Sequence, residues 1–308
     1  MISRRQIRID VLQSVYELDQ QAVSISGDMA EKQILSRIEA TSALLAGNLH
    51  LLMRLSAFIL RVANQRASKM IRTKEDEHVN VKLADNTYIQ SLAGNKSLSD
   101  MVKKHVRVDL FDEEFLKKIF IPFTQTPEYE EYISTSERNP QSEKAILLHL
   151  HKVCIQTNEL TLALLDEHYL YAGTDQDMIP GWLDKLFTHA DTFNFKRILS
   201  TEKTEFAVDL IRCYYEKKDL VFQLIEPKLV GWDAERVAII DLIILHLGIC
   251  ELLYFPTIPE KVTINEYIDL AKDFSTLQSG QFVNGLLDNV RKELSEEQKI
   301  IKTPLRKN

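Results

Sequence analysis

Val262-Thr-Ile-Asn-Glu-Tyr-Ile-Asp-Leu-Ala-Lys-Asp-Phe274, followed by Ser279-Gly-Gln-Phe-Val-Asn-Gly-Leu-Leu-Asp288, is the stretch whose reading decides the fold. Ile264, Tyr267, Ile268 and Ala271 recur at i, i+3, i+4 and i+7, the period of one helical face. Thr263 with Glu266 three residues on predicts a capping box at the start of that helix. Ser279 is the expected cap of a second helix, whose apolar stripe is Phe282, Val283, Leu286, Leu287 and Val290. Gly285 sits inside that helix at a cost of about 1 kcal/mol relative to Ala, so a close helix approach is expected there. The stretch reads as helix, turn, helix.

Composition bounds the rest. A chain of 308 residues can hold one large domain or two modest ones, with ample length for a core. A hydrophobic content of 45% and a charged content of 27% are ordinary for a globular protein. With 9 glycines and 8 prolines, long helices are favoured over strands and turns. No uninterrupted run of 18 apolar residues is present, so no membrane span is expected. The N-terminus carries arginines and no apolar segment, unlike a secretory signal. Cys154, Cys213 and Cys250 are far apart, which implies a reducing cytoplasm and no disulfide framework.

The formal net charge of −7 excludes a generally basic nucleic-acid coat. A local site is still open, because affinity for phosphate depends on where lysines and arginines cluster. Residues 1–198 carry 24 basic and 27 acidic side chains, and the remainder 14 and 18. Any RNA surface must therefore be a patch, binding weakly alone.

The helical period predicts a first helix from Ser3, capped by it, through Leu18, with Val11, Leu12, Val15 and Leu18 inward. A long helix is expected over Ala30 to about Lys69. Residues 73–97 read as a polar loop, 99–120 as helix, 134–141 as loop, and 142–170, 182–198 and 204–226 as further helices. The long helix places Ile34, Ile38, Leu45, Leu49, Leu52, Ile59 and Val62 on one face, which must be covered. Residues of about 20–198 are thus expected to fold as one bundle continuous with the first helix.

Other motifs carry less. Gly94-Asn-Lys-Ser97 ends like a phosphate-binding loop but lacks the first glycine and a preceding strand. His149, His151 and Cys154 do not share one helical face, so no metal site is expected. Glu251, in a strongly apolar helix, reads as a structural acid bonded to a nearby donor. Arg61, Arg66, Lys69, Arg72 and Lys74 read as a solvated helix end, with an RNA or partner contact as the alternative. No nucleophile or paired-carboxylate signature stands out, so neither an enzyme nor a cofactor is expected.

Two further segments complete a set. Asp241-Leu-Ile-Ile-Leu-His-Leu-Gly-Ile-Cys-Glu-Leu-Leu253 precedes Ile258-Pro259, and Arg4-Arg5-x-x-Arg8 leads to Gln13-Ser-Val-Tyr16. With Ile264-Asn-Glu-x-x-x-x-Ala-Lys272 and Phe282-Val-Asn-Gly285, this ordered set resembles the NusB family of transcription antitermination factors, over residues 4–19 and about 200–294. The resemblance implies an all-α fold of NusB-like helical bundles, an enlarged N-terminal bundle packed on a C-terminal one. The expected division is 1–198 and 199–308.

The resemblance also implies a function: binding boxA-type single-stranded RNA with a NusE-like ribosomal protein, on a transcription elongation complex, in support of ribosomal RNA synthesis. By position, the implied RNA contacts are Arg4, Arg5, Arg8, Gln13, Lys228, His246, Lys272, Gln281 and Phe282. Tyr16, Glu235 and Asp241 are implied to face the partner. Arginine suits the task because its planar fork holds a phosphate or a guanine edge bidentately. The chain departs from the pattern at Gln278 and Gln281, where relatives often have an acid and a lysine, and at His246, where an arginine is familiar. It also departs in length, with about 175 residues between the first helix and the second bundle. The alternative function is a helical protein-interaction module that keeps the fold without RNA binding; basic surface on the first helix separates the two.

Overall fold

The helical period and the scarcity of Gly and Pro are realised throughout. A computed structural model describes residues 2–21, 23–68, 80–189, 192–229, 237–276 and 278–303, and among these there are helices and turns but no strand. The fold is all-α.

By their contacts the helices form two compact units, residues 39–198 and residues 2–38 with 199–308. The division expected from the sequence falls at 198/199. Residues 2–38, however, group with the C-terminal bundle and not with the enlargement.

The second unit contains α1 (Arg4–Asp19), the start of α2 (Gly27–Ala67), and five later helices introduced below. Ser3 caps α1 by accepting from the Gln6 amide at 3.1 Å, as its spacing predicts. Ile7, Val11, Leu12, Val15 and Leu18 of α1 are buried. The inward face of α1 packs on α11 (Thr201–Glu216) and α13 (Ile239–Tyr254), which is why it belongs to this unit. α13 is apolar all round, as a helix at the centre of a bundle must be. It is buried almost continuously from Ile243 to Leu252 and is surrounded by α1, α11, α12 (Lys218–Ile225), α14 (Glu260–Phe274) and α15 (Ser279–Glu296).

Two capping expectations fail in this unit. α14 begins at Glu260 after Pro259, so Thr263 lies inside the helix and its hydroxyl donates to Glu251 at 2.8 Å. Ser279 donates to Asp241 at 2.7 Å and accepts from the Thr276 amide, so it ties α15 to α13 and does not cap it. The expected helix over 204–226 is broken at Lys217 into α11 and α12. The close-approach glycine is Gly248 in α13, where a Cβ would lie 3.1 Å from Leu287 and 3.4 Å from Tyr267. Gly285 faces open space.

The first unit holds the rest of α2, then α3 (Thr87–Gly94), α4 (Lys96–His105), α5 (Glu113–Phe123), α6 (Pro127–Ser134), α7 (Pro140–His151), α8 (Glu159–His168), the single turn α9 (Ala172–Asp175) and α10 (Ile179–Phe187). Most of the expected long elements are therefore shorter. Asn86, Asn95, Asp112 and Asn158 each accept a first-turn amide, at 3.0, 3.1, 2.7 and 3.2 Å, and start a new helix. The 73–97 segment is thus helical over most of 87–97, and its residues 73–79 lie outside the described set. The 99–120 and 142–170 helices are each divided. The Gly94–Ser97 segment spans the one-residue break at Asn95 between α3 and α4.

α2 contains a window long and apolar enough to cross a membrane by length and composition, and 67% of that window is buried within the protein. Leu45, Leu49 and Leu52 are fully buried, as their spacing requires, so the hydropathy of α2 serves a core. Several buried polar groups in this unit are paired, while the Tyr169 hydroxyl is left without a partner. Asn48 bonds Gln176 at 3.0 Å and His151 at 2.9 Å, and Thr41 donates to Asp175 at 2.8 Å. Cys154 donates to the Ile119 carbonyl, and burial pushes its thiol up to about 12. No cluster able to hold a metal is found among the described residues.

Candidate nucleic-acid interface

The arginines of α1 diverge in role. Arg4 and Arg5 lie on the first turn and stay partly exposed, at 38% and 36% of the side chain. Arg4 meets Glu202 at 2.5 Å, and its guanidinium lies 5.8 Å from the Phe206 ring centre. Arg5 bonds Asp273 at 2.7 Å with Glu266 at 3.6 Å. Exposed pairs of this kind contribute about 0.2–1 kcal/mol, so RNA phosphate can displace the acids at small cost.

Arg8 is different, and corrects the expectation of three RNA-facing arginines. Its side chain is 2% exposed and its Nε and one Nη each donate to Glu251 at 2.8 Å. Thr263 and Tyr267 also donate to that carboxylate, at 2.8 and 3.3 Å. Burial alone would lower the pKa of Arg8, but the Glu251 hydrogen bonds and charge more than reverse this and raise it. Glu251 is thus the structural acid its setting predicts, with Arg8 as its principal donor. Lys302 adds to the end of α13 by donating to the carbonyls of Glu251 and Phe255 at 3.1 and 3.0 Å.

Lys272 extends the corner made by Arg4 and Arg5. Its neighbour Asp273 holds Arg5, its ammonium meets Asp269 at 3.0 Å, and its stem lies where a Cβ on Gly280 would be, 2.9 Å from its Cγ. The absence of a side chain at Gly280 therefore lets Lys272 lie against the start of α15. Gln281 is exposed in that first turn. Lys272 and Gln281 thus stand at the amides that open an 18-residue helix, whose dipole favours an anion, and Asp273 links this helix start to Arg5 of α1.

The other expected contacts are placed elsewhere or buried. Phe282 is 8% exposed and anchors α15 in the core. Lys228 meets Glu293 at 2.5 Å, and Glu293 is about 18 Å along α15 from Gln281 at 1.5 Å per residue. Gln13 accepts from Arg37 within the same unit. His246 is buried against Tyr214, at 4.3 Å between ring centres, and burial together with the Lys218 charge pushes its pKa down to about 4. It is neutral at pH 7 and lends no charge to RNA. Tyr16 is exposed, whereas Asp241 is buried and holds Ser279 instead of facing a partner. Glu235, Lys69, Arg72 and Lys74 lie outside the described residues, and Arg61 is paired with Glu113.

The feature missed in the sequence is the set of acids facing each cation. Glu266 and Asp273 stand seven apart on α14, so they share a face, but nothing in the local pattern says that Arg5 meets it.

Comparison with known proteins agrees with this part of the chain. The NusB family model matches residues 175–292. The transcription antitermination protein NusB of Koribacter versatilis is 38% identical over 104 residues, 34% of this chain and 71% of that protein. That of Myxococcus xanthus is 42% identical over 95 residues, covering 31% and 68%. That of Bacillus mycoides is 38% identical over 93 residues, covering 30% and 72%. No solved structure matches the chain.

Proposed function

The chain belongs to the NusB family of transcription antitermination proteins, and we propose that it binds boxA-type single-stranded RNA together with a basic, NusE-like ribosomal protein. In this reading it supports ribosomal RNA transcription on an elongation complex in the cytoplasm. The supporting observation is that Arg5, next to Arg4 on α1, bonds Asp273, whose neighbour Lys272 lies against Gly280 at the start of α15 beside Gln281. The cations there are exposed and held only by surface acids.

The same acids favour a shared site. A chain of net charge −7 whose cations are already paired attracts RNA weakly. A basic partner would supply the missing field. Titration of labelled boxA-type RNA with the free protein and with the complex tests this. The complex should bind at least about tenfold tighter, a coupling of about 1.4 kcal/mol. Equal affinities would overturn the cooperative reading, and no RNA binding in either case would favour the protein-interaction module.

A further inference from the structure

Residues 39–174 lie outside the family match, and this part of the chain has a surface of its own. α5 and α8 border a groove of about 390 Å³. Its floor is Phe115, Leu160, Ala163 and Leu164. Leu160 is 56% exposed, and beyond it Val108 and Leu170 are 94% and 70% exposed. Leu170 follows the end of α8, and Val108 lies in the 107–110 loop between α4 and α5. Leu160, Leu170 and Val108 are the three most exposed large apolar side chains of this unit among its described residues, and Leu160 lines the groove itself.

The rim is acidic. Asp112, Glu114 and Glu167 border the groove, and its one lysine, Lys118, is already bonded to Glu114 at 2.8 Å. Arg107, at the loop, is likewise bonded to Asp109 at 3.0 Å. From Leu160 to Glu167, within α8, the groove wall runs about 10 Å at 1.5 Å per residue, close to two helical turns. An apolar floor of that length between carboxylates matches an amphipathic helix with apolar side chains at i, i+3, i+4 and i+7 and lysines or arginines flanking them. A nucleic acid or an anionic membrane would be repelled by the same rim.

We propose that the α5–α8 groove docks a basic amphipathic helix of a partner protein, a site separate from the RNA corner and independent of it. The probe is a synthetic 18-residue peptide with Leu on one helical face and Lys elsewhere, titrated by anisotropy into the full-length protein. Controls are the same composition scrambled off one face, and a version with Glu for Lys. The Leu/Lys peptide should bind at least tenfold tighter than either control, and added salt should weaken it. Leu160→Glu, at an exposed position that the fold tolerates, should reduce binding at least tenfold. Glu114→Lys with Glu167→Lys should reduce it further, while Leu220→Glu in the other unit leaves it unchanged. Binding of the scrambled or acidic peptide as tightly as the Leu/Lys peptide would refute the site. So would indifference to Leu160→Glu when circular dichroism shows the variant folded. Neither outcome depends on RNA binding, so this proposal and the antitermination reading fail separately.

Discussion

Replacing Glu251 by glutamine probes how the second unit is held together. Glu251 is fully buried and accepts from Arg8 twice at 2.8 Å, from Thr263 at 2.8 Å and from Tyr267 at 3.3 Å. Glutamine keeps the volume and one acceptor oxygen, which serves Thr263 or Tyr267 but not both, since they donate to different oxygens of Glu251. It also turns an amide NH2 toward a guanidinium that is 2% exposed, leaving it Glu266, at 3.5 Å, as its remaining carboxylate neighbour. A buried charge stripped of its partner costs about 3–5 kcal/mol. That loss belongs to the residue 2–38 and 199–303 unit, so a whole-chain melting curve would blur it. Hydrogen exchange resolves it: peptides from α1 and α13 should exchange on the order of 100- to 1000-fold faster, while α7 peptides serve as an internal reference. Adding Arg8→Met removes the orphaned charge and should recover most of the loss, because an ion pair replaced by apolar volume is often neutral. If Glu251→Gln lies within about 1 kcal/mol of wild type, or the double variant is no better than the worse single one, the buried pair does not organise this unit.

Arg4→Ala with Arg5→Ala should leave stability within about 1 kcal/mol but weaken boxA-type RNA binding and cut the slope of log K against log salt by up to roughly 1.4, which a salt-dependent titration measures. His246 has a folded pKa near 4 against an ordinary value of 6.5, so its neutral burial stabilises fully above pH 6.5, and that contribution is lost as pH falls toward 4. Between pH 7 and 5 it should cost the second unit about 2 kcal/mol, and His246→Leu should flatten that dependence in exchange measurements on α13. Gly285→Ala, into open space, should stabilise by up to about 1 kcal/mol, whereas Gly248→Ala, with Leu287 at 3.1 Å, should destabilise by about 1–3 kcal/mol in urea unfolding.

The glycines show where the sequence stops being legible. Both lie in apolar helical stretches, and only the neighbouring helix decides which one needs the missing Cβ. Helix existence was readable, because the 3.6-residue period of α1, α2, α13, α14 and α15 is strong. The breaks in the 39–198 unit were also written in the sequence, as Asn86, Asn95, Asp112 and Asn158, but an isolated Asx residue inside a periodic run is a weak signal until its amide partners are seen. Thr263 and Glu266 had capping-box spacing, yet Pro259 starts the helix one turn earlier and frees the threonine for Glu251. The site follows the same pattern. Arg8 and Glu251 were each singled out, one as a surface contact and one as a buried acid, and a pairing across 243 positions cannot be read from either neighbourhood.

The acids that face Arg4 and Arg5 set the last prediction. RNA reaching these arginines must exchange a carboxylate for a phosphate, so each contact is worth the difference between two similar interactions. Salt weakens both sides of that exchange. A freed carboxylate also recruits a counter-cation, which offsets part of the cation release from RNA, so the slope per arginine should fall below the roughly 0.7 expected for single strands. Glu202→Gln with Asp273→Asn removes the two nearest competitors, leaving Glu266 at 3.6 Å from Arg5, and keeps both arginines in place. Each substitution gives up an exposed pair contributing about 0.2–1 kcal/mol, so the fold should survive. RNA affinity should rise several-fold for the free protein, and its salt dependence should steepen toward the unpaired value. The gain from adding a basic partner should shrink correspondingly, since part of what the partner supplies is already present. Unchanged or lower RNA affinity in this folded variant would mean that Arg4 and Arg5 do not meet phosphate, and would leave the protein-interaction reading as the better account of this surface.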